Sequence, residues 1–153
     1  MQNQNISFVN GEHRFNFRVG VIIEYGDLVL LETSGSFWNM IGGRVQLGES
    51  TVDCAKRELK EELNLEVKNI NLVNISENFF NWNGLFQQEL LFVYKTTLPL
   101  DCDIIKKQEF KCLDANKTFK WHKKIDIKKL DCRPDTIKTI VMQECGITHK
   151  ILN

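Results

Sequence analysis

Residues Gly43 to Leu65 read GRVQLGESTVDCAKRELKEELNL, with a second glycine just before them at Gly42. Ser50 is followed three residues later by Asp53, an approximate capping box with a shorter acid than the usual Glu or Gln, so a helix should start near Thr51. At about 100° per residue, Val52, Ala55, Leu59 and Leu63 fall within an arc of roughly 80°, a core-facing stripe. Glu58, Glu61 and Glu62 fall within another arc of roughly 100°, clear of that stripe. Like charges at i and i+4 cost roughly 0.2–0.5 kcal/mol per pair. Lys56 and Lys60 project to the other side, so only Arg57, four residues before Glu61, is placed to offset the cluster. Such a pattern is ordinarily a solvated acidic face. A bound cation would make it attractive instead, and an all-oxygen carboxylate site suits Mg2+ or Mn2+. Gly42 and Gly43 allow close backbone approaches that a side chain forbids.

Working outward, the chain has 153 residues, 42% of them hydrophobic, which suits one domain over 1–153 with a real core. Twenty basic and twenty acidic side chains cancel, so there is no global electrostatic footprint for nucleic acid or an anionic membrane. The first residues, MQNQNISFVNGEHRF, have neither a basic n-region nor an apolar h-region, and no apolar run approaches a membrane span. A soluble cytoplasmic protein is the expectation. Five cysteines without a C-x-x-C pair indicate reduced thiols rather than disulfides or a thiolate zinc site. His13, His122 and His149 lack metal-ligand spacing, and Gly42-Gly43-Arg44 matches neither a P-loop nor a dinucleotide fingerprint.

Before the helix, a polar lead runs to about Gly11. Arg14 to Glu24 then alternates, with Phe15, Phe17, Val19, Val21 and Ile23 on one face, the period of a half-buried strand. Tyr25-Gly26-Asp27 reads as a turn into Leu28 to Glu32, the return strand of a hairpin. Arg18 lies on the face opposite the phenylalanines, where it is either solvated or in reach of an anionic ligand. Beyond the helix, Leu65 to Ser76 reads as a strand, Glu77 to Gly84 as an aromatic loop, and Phe86 to Thr96 as the strongest strand pattern in the chain. Phe79, Phe80 and Trp82 either seal a core edge or stack on a nucleobase. Glu89 is expected to face outward from its strand; the other reading adds it to the acidic site. Lysine doublets between Lys106 and Arg133 read as a solvated face. Phe119 to His122 reads as a further strand, and Pro134 suits the first turn of a closing helix through about Glu144. Strands, helix, strands and helix in that order argue for an α/β fold with a mixed sheet between helices.

Gly43, five residues, Glu49, seven residues, then Arg57-Glu58-Leu59-Lys60-Glu61-Glu62 and the apolar Leu65 is similar to the signature box of the Nudix hydrolases. The box covers 23 residues, and the order of strands around it also resembles that family's α/β/α sandwich. Two positions depart from the pattern. Asn64 stands where glycine is usual, but Asn is the best non-glycine occupant of a left-handed helix cap. Ile41 stands where a proline often precedes the two glycines.

The resemblance implies a pyrophosphohydrolase that cleaves a nucleoside diphosphate linked to another group, water attacking phosphorus, with Mg2+ or Mn2+ as cofactor. It assigns Glu58, Glu62 and Glu61, with the Gly43 carbonyl, to the metal. Catalysis would fall to Glu58 and Glu61, with Arg57 and Glu49 beside them, Glu49 either accepting from Arg57 or joining the metal shell. Related enzymes often supply one further acid from the later part of the fold, and Glu109 is the candidate. Arg18, Phe79, Phe80, Trp82 and Glu109 are thus the expected substrate-binding residues. A homodimer is a further expectation, since many relatives pair. Neither proline nor tyrosine lies between Glu66 and Val93, which argues against the usual ADP-ribose and dinucleoside-polyphosphate subclasses and leaves nucleoside triphosphates and nucleotide sugars. The alternative is a catalytically silent Nudix-fold module that binds a nucleotide.

Overall fold

A computed structural model describes residues 4–112 and 116–153. Its centre is a pair of long parallel strands, β2 (His13–Tyr25) and β7 (Leu85–Thr97), in register from His13 opposite Phe86 to Glu24 opposite Thr97. Alternation along β2 is what makes it central: successive side chains point to opposite faces, and both faces are apolar over its second half. Val19, Val21 and Ile23 pack with Ile41 and with Ala55 and Leu59 of α1 (Thr51–Leu63), whereas Ile22 packs on the other side with Val93, Ile127, Ile137 and Ile140. The sheet is therefore sandwiched. Burying one such side chain contributes about 1.5–3 kcal/mol, so the two clusters on either face hold the layers together.

The other strands build outward from this pair. β1 (Ser7–Asn10) and β5 (Ile41–Arg44) run antiparallel to β2, as does β3 (Leu28–Thr33) across the tight turn at Gly26. β4 (Trp38–Asn39) pairs with β3, β6 (Asn71–Trp82) with β7, and β8 (Glu109–Lys111) with β9 (Thr118–Lys123), which itself flanks β3. β10 (Thr148–Leu152) adds to β6 in parallel. The sheet is mixed, in the order β10-β6-β7-β2-β3-β9-β8. No helix among the described residues is long and apolar enough to cross a membrane.

Three segments differ from their sequence reading. The polar lead is not idle: β1 folds back on β2 through a turn at Gly11, whose φ of 58° suits glycine. The supposed aromatic loop is the end of β6, which starts at Asn71 rather than Leu65; the turn is only Asn83-Gly84, both at positive φ. The closing helix shrinks to α2, Ile137–Ile140. Its continuation is captured by the sheet: Lys95 Nζ donates to the Gln143 carbonyl at 2.8 Å, and Gln143 Nε2 donates to the carbonyls of Val73 and Gly146 at 3.2 and 2.7 Å. These bonds turn the chain into β10 where helix periodicity alone would continue it.

Candidate active site

The predicted helix start and stop are both present. Ser50 caps α1, its hydroxyl accepting from Asp53 N at 3.2 Å and donating to Asp53 Oδ2 at 2.6 Å. Asn64 ends the helix in the left-handed region (φ 52°, ψ 36°), and its backbone N–H and that of Leu65 return to the carbonyls of Lys60 and Leu59 at 3.0 and 3.1 Å. Between these caps the helix buries a wider face than its apolar stripe. Cys54, Ala55, Leu59 and Leu63 go to the core, and Glu58 and Glu62 are buried beside them, while Glu61 stays half exposed.

Two buried carboxylates need compensation, and each receives it differently. Arg57 is the hub for one side. Its Nε and Nη2 donate to the two oxygens of Glu49 at 2.7 and 3.1 Å, its Nη1 to Glu58 at 2.7 Å and to Glu61 at 3.1 Å, and Nη2 also to the Arg44 carbonyl at 3.1 Å. Glu49 therefore accepts from Arg57, the first of its two predicted roles. Burial pushes Glu49 up, but the bonds from Arg57 and from Gln46 N outweigh it and hold the carboxyl below its usual range. For Glu58, burial dominates even against Arg57, and its carboxyl is held above that range.

Glu62 is compensated by a residue that the sequence reading consigned to a solvated lysine face. Lys117 Nζ donates to Glu62 Oε1 at 3.0 Å and lies 3.1 Å from Glu32 Oε1 on β3. Burial and the neighbouring Glu62 push Glu32 up to about 8, against the opposing pull of the Lys117 ammonium. The other oxygen of Glu62, Oε2, is buried with no hydrogen-bond partner. Neither Glu32 nor Lys117 carried a signal in the sequence, because they lie in different strands and loops and meet only through the β3–β9 pairing.

Gly43 lies across β5 against this helix. A Cβ built there would run into the Glu58 carboxylate, so glycine is what permits that carboxylate to lie flat on the strand. An open cavity of about 530 Å³ is lined by Gly43, Arg57, Glu58 and Glu61 on one side and by Arg18 and Arg44 on the other. Among the described residues, no three acidic, histidine or cysteine side chains converge as a ready-made metal site. The reason is visible in the bonds above: Arg57 draws Glu58 and Glu61 to itself while Lys117 draws Glu62 away.

The remaining candidates separate. Arg18 reaches the cavity and pairs with Glu89 at 3.3 Å. Glu89 was expected to face outward; it is instead buried, and its other oxygen accepts from Asn78 Nδ2 at 2.8 Å. The β2–β7 register sets Glu89 opposite Asn16, on the face that carries Arg18, and that pairing was invisible in β7 alone. Phe79, Phe80 and Trp82 all lie in β6, where side chains alternate, so Phe79 points to one face and Phe80 and Trp82, two residues apart, to the other. Phe79 stacks on Phe86 at 6.3 Å, and Trp82 meets Phe37 edge-on at 6.1 Å. The structure does not bring Glu109 to the cavity. It is exposed on β8, with Lys120 at 3.9 Å as its ion partner.

Comparison with known proteins agrees with the fold and the box. The NUDIX domain pattern matches residues 14–138. The chain is 43% identical over 54 residues to the NAD-capped RNA hydrolase NudC of Pseudomonas fluorescens, a stretch that covers 33% of this chain but only 20% of that protein. Among solved structures it is similar to the mutator protein MutT of Bacillus halodurans, at 26% identity and a TM-score of 0.63, with 84% of this chain and 80% of that one covered. It shares its fold with the NUDIX domain of Shewanella oneidensis NrtR, solved with ADP ribose, at 16% identity and a TM-score of 0.61 over 82% and 83% of the two chains. With Gly43, Arg57, Glu58 and Glu61 of the box around one cavity and the domain pattern matched over most of its length, the chain belongs to the NUDIX domain family.

Proposed function

We propose that the chain, a Nudix pyrophosphohydrolase, cleaves a pyrophosphate bond in a nucleoside diphosphate linked to another group, by attack of water on phosphorus with the help of Mg2+ or Mn2+. One observation carries the reading: Arg57 gathers Glu49, Glu58 and Glu61 beside a glycine that leaves the Glu58 carboxylate room to face the cavity. The donor set fits a hard divalent ion, being all oxygen, and the unpartnered Glu62 Oε2 is a buried lone-pair group in want of a positive partner. Glu58, Glu61 and Glu62 with the Gly43 carbonyl would hold such an ion. When bound, it would neutralise the diphosphate and lower the pKa of a bound water.

The chain's own residues do the rest. Arg57 keeps mutually repelling carboxylates at the cavity wall, and Glu49 fixes the plane of its guanidinium. The proton released by the attacking water goes to a carboxylate of this cluster. Arg18 faces the phosphates from the opposite wall, and Phe80 and Trp82, on one face of β6, offer apolar surface for a base. Phe79 belongs to the other face and Glu109 to the far edge of the sheet, so neither has a part in this reading.

A silent nucleotide-binding module is the other reading, and the full set of box glutamates weighs against it. The test is a hydrolysis screen with Mg2+ or Mn2+ over nucleoside triphosphates, nucleotide sugars, ADP-ribose and an NAD-capped RNA, beside a Glu61→Gln variant. Release of a phosphate-bearing product that the variant abolishes is the expected result. A wild-type protein that binds a nucleotide yet turns over nothing on the panel would give the binding module its place.

A further inference from the structure

β2 carries Arg14, Asn16 and Arg18 on a single face, and β5 sets Arg44 directly opposite Arg18 across the antiparallel pair. Like charges directly opposed on a sheet destabilise it. Among the described residues the relief is partial. Glu89 pairs with Arg18 at 3.3 Å, but Arg44 Nε donates only to the neutral Asn16 Oδ1 at 3.0 Å. Asn16 Nδ2 is in turn bonded to another neutral amide, Gln87 Oε1, at 3.1 Å. Among the described residues neither Arg14 nor Arg44 has a carboxylate partner. Burial, followed by the charges of Arg18 and Arg14, pushes the Arg44 guanidinium below its usual range. Arg18 and Arg44 line the same cavity as Glu58 and Glu61, and Arg14 lies beside them on the same face of β2, so that among the described residues three guanidiniums share one carboxylate. The Arg44 carbonyl accepts from Arg57 Nη2 at 3.1 Å, which ties this basic strip to the acidic cluster without neutralising it.

We infer that Arg14, Arg18 and Arg44 form an anion subsite for phosphates lying beyond the bond that is cut, so that the substrate carries a triphosphate or longer chain rather than a diphosphate capped by a neutral sugar. This rests on the pyrophosphohydrolase reading for the location of the scissile bond, but the anion site itself is a property of these three residues. Spacing supports it. Alternate residues of a strand are about 7 Å apart, which sets Arg14 and Arg18 about 14 Å apart with Asn16 between them, and their long side chains with that of the facing Arg44 can bracket a chain of phosphates leading away from the carboxylates. A neutral sugar would leave Arg14 and Arg44 without an anionic partner. Arginine suits this role better than lysine because its planar fork can meet two phosphate oxygens at once.

The test is titration calorimetry of the whole chain with inorganic tripolyphosphate, pyrophosphate and orthophosphate, at low ionic strength with a chelator present so that no metal contributes and no turnover occurs. Tripolyphosphate should bind at least about tenfold more tightly than pyrophosphate, and Arg14→Gln and Arg44→Gln should each weaken it by about tenfold, the loss of one charge-assisted hydrogen-bond set. Arg44→Lys, which keeps the charge, should fall between wild type and Arg44→Gln. Lys120→Gln, on the far strand β9, should bind as wild type. The inference is overturned if tripolyphosphate binds no better than pyrophosphate, or if Arg14→Gln and Arg44→Gln bind it as wild type does. Should Arg44→Gln fail to fold, Arg14→Gln decides the matter alone. The two readings fail separately: hydrolysis of nucleotide sugars with no preference for tripolyphosphate overturns the subsite alone, whereas tripolyphosphate binding lost in the arginine variants, with no hydrolysis of any substrate, supports the subsite and removes the enzyme.

Discussion

Arg57 meets Glu49 side-on, Nε to Oε1 at 2.7 Å and Nη2 to Oε2 at 3.1 Å, and this fork is what turns its remaining Nη1 towards Glu58 and Glu61. A lysine keeps the charge but has no planar fork to divide among three carboxylates. Arg57→Lys should therefore lower kcat by about ten- to hundredfold, the usual cost of losing a group that orients metal-site ligands, with a smaller change in KM. Steady-state kinetics at saturating Mg2+ on whichever substrate the screen identifies would check it; an unchanged kcat would remove Arg57 from the positioning role.

The same fork makes Glu49 a source of pH-dependent stability. Burial raises its carboxyl, but the bonds from Arg57 and Gln46 N prevail and its pKa lies below the ordinary value of 4.5. A depressed carboxylate stabilises the fold above that ordinary value, and the contribution is lost as pH falls through the lower, folded-state pKa. Glu49→Gln should melt below wild type at pH 7, and the gap should close as pH drops below about 4.5. Melting curves of the two proteins between neutral and acid pH would show it. A gap that widens towards acid contradicts the assignment.

The adjacent glycines should respond differently to the same substitution. At Gly43 an added Cβ meets the end of the flexible Glu58 side chain, which can swing aside, so Gly43→Ala should fold with a nearly unchanged Tm and lose activity. At Gly42, with φ at 155°, the Cβ meets the Val19 carbonyl, a backbone atom in the central strand that cannot move. Gly42→Ala should cost about 2–4 kcal/mol of stability, strain and overpacking together. Chemical denaturation of both variants, alongside hydrolysis by Gly43→Ala, separates the two roles.

Lys117 is the positive partner of Glu62, its Nζ 3.0 Å from Glu62 and 3.1 Å from Glu32. Lys117→Met leaves Glu62 without its partner and should destabilise the metal-free protein by about 1–3 kcal/mol. Adding Mn2+ should restore much of the lost Tm, since a cation bound at the cluster replaces the missing charge. Calorimetric melting with and without Mn2+ tests this, and an equal Mn2+ shift in wild type and variant would count against it.

The helix cap gives a simpler expectation. Asn64 adopts φ 52° and ψ 36°, where a Cβ-bearing residue without Asn's short polar side chain pays about 1–2 kcal/mol. Asn64→Ala should lower stability by about 1 kcal/mol, and Asn64→Gly should not. Urea unfolding of the pair would register the difference.

Those variants divide along a line that also separates what was readable in advance. Ser50, Asp53 and Asn64 act within a few residues of themselves, and both ends of α1 fall where their chemistry placed them. Glu49 and Arg57 were readable as partners because only the Ser50 cap and about two helical turns separate them. Glu89 was misread as solvent-facing, since β7 alternates without revealing which face meets the core until β2 lies beside it. The aromatic stretch at Phe79 to Trp82 was misread as a loop because the Asn83-Gly84 turn was taken to begin too early. Lys117 gave no sign at all: it lies 55 residues from Glu62 and 85 from Glu32.

By itself, then, the amino-acid order determined the acidic helix, its caps, the glycine pair beside it and the alternating strand β2, because hydrophobic periodicity and capping are local properties of consecutive residues. Only the tertiary structure decided that Glu58 and Glu62 are buried while Glu61 is not, that Lys117 holds Glu62, and that Arg18 finds Glu89 71 residues away. Those pairings depend on strand register, and register is set jointly by distant segments as they close one core, so no single stretch of sequence contains it.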